Sequence, residues 1–156
     1  MTAEKRQKEQ QDTQQQESAK SATEKGKLIQ FPRRGFVWHE LMTTDTEGAE
    51  KFYREITGLT ASPGSYKMMM AGEQPIGGLV GPTAKGPIWP SGGPEPHWIA
   101  YIGVEDVDAS AQRAQDLGGK VLLPPTDVPG FGRAAVLRDP QGAKFGIFAP
   151  LPQESR

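Results

Sequence analysis

Glu40 is the residue whose position most needs a chemical explanation. It lies in Phe36-Val37-Trp38-His39-Glu40-Leu41-Met42, an alternating stretch that puts Trp38, Glu40 and Met42 on one face and Val37, His39 and Leu41 on the other. A lone carboxylate on an apolar face costs several kcal/mol unless it is paired or borders a wet cavity. An ion pair with Arg133 would answer that cost, and so would a place in a binding pocket. Tyr101 occupies the matching position in a second alternating stretch, Trp98 to Val104. A tyrosine hydroxyl facing a carboxylate could fix a polar ligand or move a proton. Trp38, Phe131 and Phe148 could wall such a pocket or serve as plain core. His39, on the opposite strand face, reads as a packing histidine against a helix. His97, after Pro96, reads as an exposed or edge residue. With no cysteine in the chain, disulfides, thiolate nucleophiles and cysteine-bound zinc are excluded.

These residues are positioned by a pattern that occurs twice. Glu40 to Asp45, a helix-like stretch and Gly58 return as Tyr101 to Asp106, a second helix-like stretch and Gly119, at a shift of about 61. Thr44 or Asp45 can cap a helix over about 46–57, where Ala49, Phe52, Tyr53 and Ile56 form an apolar stripe and Gly58 supplies the stop. Tyr66–Ala71 and Pro75–Val80 read as strands. In the second pass Asp106 caps a helix that can bury Ala109, Ala111, Ala114 and Leu117. Lys120–Leu123 then reads as a short strand, Pro124–Gly130 as a loop, and 132–138 and 143–149 as strands about the Asp139-Pro140-Gln141-Gly142 turn. Met68-Met69-Met70 reads as adaptable packing on a sheet face. A period near sixty is too long for a solenoid and too short for two independent domains.

Composition limits the partners. Hydrophobic residues make up 35%, and the deficit lies mainly in residues 1–30, a Gln/Lys/Glu-rich tail with no apolar period, which is expected to be disordered. No stretch has the length of a membrane span, and the chain has no signal-peptide pattern. A net charge of -1 disfavours electrostatic nucleic-acid binding. The expectation is a cytoplasmic protein with one domain over 31–152, made of modules at about 35–81 and 97–150 joined by the Pro/Gly-rich linker 82–96.

The motifs in their order resemble the vicinal oxygen chelate superfamily of glyoxalases, bleomycin-resistance proteins and extradiol dioxygenases. The likeness rests on Trp38-His39-Glu40-Leu41 with Asp45 and Phe52-Tyr53, on Val104-Glu105-Asp106-Val107-Asp108 to Gly118-Gly119, and on Gly132-Arg133 through Asp139-Pro140-Gln141-Gly142-Ala143. It implies an α+β fold in which two βαβββ modules form a cleft-bearing open barrel, with helices on the convex side and the ligand in the concave space. It also implies a divalent metal held by His and Glu, which stabilises negative charge on the substrate. The positions that would carry those ligands are Trp38, Ile99, Gly77 or Gly78, and Gly146, and none of these side chains binds a metal. A shift of 60 would instead pair Trp38 with Trp98 and bring Glu40 and His97 to the concave face, still too few ligands for a tight site.

The resulting expectation is a glyoxalase-like protein that binds a small organic molecule between the modules, with no metal or other cofactor. Its candidate pocket is Trp38, Glu40, Tyr101, Phe131, Arg133 and Phe148. The alternatives are a lyase, isomerase or dioxygenase with an atypical metal site or a Glu40/Tyr101 acid–base pair, and an interaction module whose tail recruits a partner. The partner expected is a small molecule, not nucleic acid or membrane, and the fold class allows a homodimer.

Overall fold

The computed structural model describes residues 34–64, 66–81 and 95–152. The tail expected at 1–30, and residues 82–94 of the expected linker, lie outside the described residues. The first half runs β1 (Phe36–Met42), α1 (Thr46–Thr57), β2 (Thr60–Ala61), β3 (Lys67–Ala71) and β4 (Gln74–Val80). The second runs β5 (His97–Gly103), α2 (Val107–Asp116), β6 (Lys120–Val128), β7 (Gly132–Arg138) and β8 (Lys144–Pro150). All the strands join one eight-stranded sheet in the order β2-β3-β4-β1-β5-β8-β7-β6. Its edges, β2 and β6, do not pair with each other, so the sheet is open.

The halves meet along β1 and β5, which run antiparallel, while β1 is parallel to β4 and β5 is parallel to β8. His39 pairs with Ala100, flanked by Trp38 with Tyr101 and Glu40 with Ile99. At a shift of 61 His39 maps onto its own partner, and the two flanking pairs exchange. The pseudo-twofold axis therefore passes through His39 and Ala100, and the shift is 61, not 60. Both helices start on an aspartate in the same extended conformation. Asp45 Oδ1 accepts from the Gly48 amide and Asp106 Oδ1 from the Ala109 amide, each at 2.9 Å. Gly58 ends α1 in the left-handed conformation (φ 75°), its N–H donating to the Arg54 carbonyl.

The sheet's two faces are packed differently. On one, α1 lays Ala49 and Tyr53 over Leu41, Met69 and Leu79, and α2 sets Val107 and Ala111 against Ala135, Leu137 and Ile147. Lys67 Nζ to Glu50 at 2.6 Å ties β3 to α1. Among the described residues no helix packs on the other face. There Met42, Val80, Ile99, Tyr101, Ala134, Val136 and Phe148 form one cluster drawn from both halves. This is the side on which the resemblance places a ligand.

Several expectations are corrected. Phe52 and Ile56 are 56% and 60% exposed, because α1 covers β3 and β4 with only its Ala49/Tyr53 edge. Likewise Ala109 is exposed and Leu117 is 62% exposed. His39 does not pack against either of the described helices: it is exposed and stacks on Phe36 with ring centroids 6.2 Å apart. A bulge between Phe36 and Trp38 breaks the simple alternation, so that Val37 and Trp38 both pack on the helix-free cluster. The loop expected at 124–130 is largely strand, since β6 continues through Pro124 and Pro125 to Val128. Prolines are tolerated there because β6 is an edge strand with register shifts on either side of Leu123.

The caps give the first test. Asp45→Ala and Asp106→Ala should each lower stability by about 1 kcal/mol, the usual loss of an N-cap. Urea denaturation of the two single variants measures this, and losses below about 0.3 kcal/mol would show that the aspartates do not cap.

Candidate functional site

Glu40 lies on the helix-free face beside the pseudo-twofold axis and is 3% exposed. Both of its oxygens are used. The Tyr66 hydroxyl donates to Oε1 at 2.7 Å and the Tyr101 hydroxyl donates to Oε2 at 2.8 Å. Trp38 Nε1 in turn donates to the Tyr66 hydroxyl at 3.0 Å. An indole N–H can only donate, so the chain from Trp38 through Tyr66 to Glu40 has a fixed direction, and Oε1 must accept. Burial pushes the Glu40 carboxyl above its ordinary range, with the two tyrosine bonds acting against that rise. Burial, and then the Glu40 charge, push both phenols well above theirs.

The strands make room for this network at two glycines. Gly146 pairs with Tyr101 across β5 and β8, and a Cβ there would overlap the Tyr101 ring. Gly78 pairs with Glu40 across β1 and β4, and its Cβ would overlap the Tyr66 hydroxyl and lie 3.0 Å from Glu40 Cγ. Glycine in a strand interior marks such a close approach.

Of the six candidate residues, Glu40 and Tyr101 are bonded to each other, and Trp38, Phe131 and Phe148 pack in the same cluster. Arg133 stands apart. It alternates with Ala134 onto the helix-covered face, where Nε and Nη2 donate to both Asp108 oxygens at 2.6 and 2.9 Å and Nη1 donates to Asp127 at 2.7 Å. The alternative of a Glu40–Arg133 ion pair is therefore overturned: Arg133 is neutralised by two exposed aspartates, and these bonds hold the Asp108 carboxyl below its usual range. Tyr66 is the member that the sequence reading missed. Its signal was indirect, in Gly78 sitting inside a strand where a neighbour must cross. His97 stays at the start of β5, its Nδ1 against the Glu95 carbonyl at 2.8 Å. A crevice between α1 and β2, lined by Glu50, Tyr53, Leu59 and Met69, has a volume of about 10 Å³, roughly room for one water.

The glyoxalase/bleomycin resistance protein/dioxygenase superfamily model matches residues 35–147. The chain belongs to this superfamily. It is 39% identical over 124 residues to "Putative glyoxylase CFP32" of Mycobacterium tuberculosis, a match covering 76% of this chain and 45% of that protein. It is 36% identical over 112 residues to "Anthracycline biosynthesis protein DauV" of Streptomyces sp., covering 70% and 39% respectively. The chain thus spans less than half the length of these curated relatives. The fold is shared with methylmalonyl-CoA epimerase from Mycobacterium tuberculosis at 15% identity and a TM-score of 0.52, covering 76% of this chain and 89% of that one.

Membership in the superfamily implies a divalent metal on this face, and the residues present do not fit one. Trp38, Ile99, Gly78 and Gly146 stand around the pseudo-twofold axis without a ligating atom among their side chains. The space their neighbours would need is filled by the rings of Tyr66 and Tyr101. Among the described residues no three His, Cys, Asp or Glu side chains group closely enough to hold a metal ion.

Two tests follow from this geometry. Glu40→Gln should change stability by less than about 1 kcal/mol, because the amide oxygen can accept from Tyr66 while its NH₂ donates to a rotated Tyr101 hydroxyl. Glu40→Leu strands both hydroxyls and should cost about 1–3 kcal/mol for each. Equal losses for the two variants in urea melts would remove this account. The second test is pH dependence. A carboxyl held above its ordinary range binds its proton more tightly in the folded state. Its contribution to stability is therefore greatest at low pH, and it declines as pH rises from the unfolded value through the raised folded one. The wild-type stability minus that of Glu40→Gln should fall as pH rises above the ordinary carboxylate range, and a flat difference would show that Glu40 titrates alike in both states.

Proposed function

We propose that this protein binds a small organic molecule on the helix-free face of its sheet, without a catalytic metal. The observation that supports this reading most is the buried Glu40 carboxylate, held by Tyr66 and Tyr101 among the aromatic side chains of Trp38, Phe131 and Phe148. A few fixed polar groups set in apolar and aromatic walls is the usual make-up of a small-molecule site. The names of the relatives, glyoxylase and anthracycline biosynthesis protein, point to the same class of ligand. The proposal takes residues 31–152 as one cytoplasmic domain, alone or as a homodimer.

An acid–base role for Glu40 and Tyr101 is the second reading, favoured by their 2.8 Å contact. The phenol is a poor acid here, since burial and the Glu40 charge both raise its pKa. Glu40, whose own pKa is raised, would have to carry the proton.

A thermal-stability screen against metabolites and antibiotics tests the proposal, as a ligand at a hundredfold its dissociation constant stabilises the native state by about 2.7 kcal/mol. Tyr101→Phe removes the donor to Glu40 Oε2 and should cost about 1–3 kcal/mol, and the protein that remains folded should bind whatever ligand the screen finds more weakly. Stoichiometric iron, zinc, nickel or manganese surviving dialysis of the purified protein would overturn the metal-free reading. Turnover of a hit that is lost in Glu40→Gln would move the conclusion to the second one.

A further inference from the structure

At one end of the helix-free face three basic residues stand side by side. Arg138 closes β7, and the ladders pair it with Lys120 of β6 on one side and Lys144 of β8 on the other. Along β7, Ala134 and Val136 pack in the helix-free cluster, while Ala135 and Leu137 pack with Val107 and Ala111 of α2. Alternation therefore sets Arg138 on the helix-free face, and its two direct partners share that face. Such partners have Cβ atoms about 5 Å apart, and like charges placed opposite each other destabilise a sheet. Nothing among the described residues relieves the repulsion. Arg34, Arg54, Lys67 and Arg133 pair with carboxylates, whereas Lys120, Arg138 and Lys144 form no ion pair or side-chain hydrogen bond. Glu40 spends its oxygens on the tyrosines, and Asp139, the next residue after β7, accepts from the Gln141 and Ala143 amides.

A second observation points to what the row receives. Arg138 Nε is buried and has no hydrogen-bond partner. Buried donors are nearly always paired, and an orphan among them calls for a bound ion, water or ligand. Lys120 and Lys144 are exposed, so a ligand reaches the row from solvent and meets the half-buried guanidinium between them. We infer that this row binds the phosphate group of a small molecule. A phosphate monoester carries more than one negative charge near neutral pH and three acceptor oxygens, enough to engage all three cations. A carboxylate, with one charge and two oxygens, would leave a lysine unmatched. Leu123, Val136 and Gly146 form the next paired row toward the apolar cluster, so the organic part of the ligand lies on that cluster. Its placement there rests on the reading of this face as a small-molecule site; the phosphate contact does not.

Phenyl phosphate, phenol, benzoate and inorganic phosphate, each titrated into the full-length protein by calorimetry at low ionic strength, test this. Phenyl phosphate should bind at least about tenfold more tightly than phenol or benzoate, and Arg138→Gln should weaken it by about tenfold or more, the usual loss of a charge-assisted hydrogen bond. The double variant Lys120→Gln with Lys144→Gln should weaken it as much. Both lysines are exposed, so this variant carries the test if Arg138→Gln fails to fold. Inorganic phosphate should bind more weakly than phenyl phosphate and lose affinity in the same variants. Phenyl phosphate binding no better than phenol or benzoate, or binding the double variant as tightly as the wild type, would overturn the inference. A neutral hit from the wider screen would then leave the small-molecule reading standing alone. Binding to phosphatidylserine vesicles with no binding of phenyl phosphate would also overturn it, since the row would then serve a membrane surface. Equal affinities for phenyl phosphate and inorganic phosphate, both weakened in the variants, would uphold the phosphate site and count against a ligand seated on the neighbouring cluster.

Discussion

A carboxylate that is 3% exposed must recover through hydrogen bonds what it loses in hydration. Glu40 recovers it from two phenols, and those phenols constrain much of the surrounding sheet. Tyr66 reaches Oε1 only because Gly78 leaves its strand without a side chain, and Tyr101 lies flat only because Gly146 does the same. Trp38 then fixes the orientation of the Tyr66 hydroxyl. Removing the hydrogen-bonding atoms of any one of these groups would leave another buried polar atom short of a partner, so the set acts as a unit.

The pseudo-twofold axis explains why the unit is assembled where it is. β1 and β5 are equivalent strands, and their pairing through His39 and Ala100 puts equivalent positions on either side of the axis. Glu40 and Tyr101 are such a pair, as are Trp38 and Ile99. The backbone keeps the symmetry in its capped helices and parallel β1–β4 and β5–β8 ladders, while the side chains break it. A symmetric frame thereby holds an asymmetric site, with the acid from one half and a phenol from each half around it.

Much of this frame was legible in the sequence. Asp45 and Asp106 mark helix starts, Gly58 a stop, and the shift of 61 aligns Glu40 with Tyr101, because caps and period are local signals that survive folding. What was not legible depends on partners distant in the chain. Tyr66 meets Glu40 across 26 residues, and nothing near it in the sequence marks a hydroxyl aimed at a buried acid. Arg133 could be placed near Glu40 only by ignoring strand alternation, which turns it toward Asp108 on the far face. The exposure of Phe52 and Ile56 likewise depends on where α1 lies over β3 and β4, which helical periodicity cannot specify. Phe36 and His39 are exposed on the central strands, and Trp98, still 46% exposed, meets α1 only at Tyr53, whose hydroxyl accepts from its indole N–H at 3.0 Å.

Within the superfamily, the centre of this face usually holds a positive charge that stabilises a developing enediolate or bound peroxide. Here the same place holds a buried acid whose two oxygens are bonded to tyrosine hydroxyls. The tyrosine hydroxyls that could otherwise donate to an anionic intermediate at that point are already spent on the acid. The shared fold therefore carries the sheet and the axis, while the side chains at the axis are not those that hold the superfamily's metal. The glycines at 78 and 146 keep that arrangement in place, since any side chain there would displace the rings that hold Glu40.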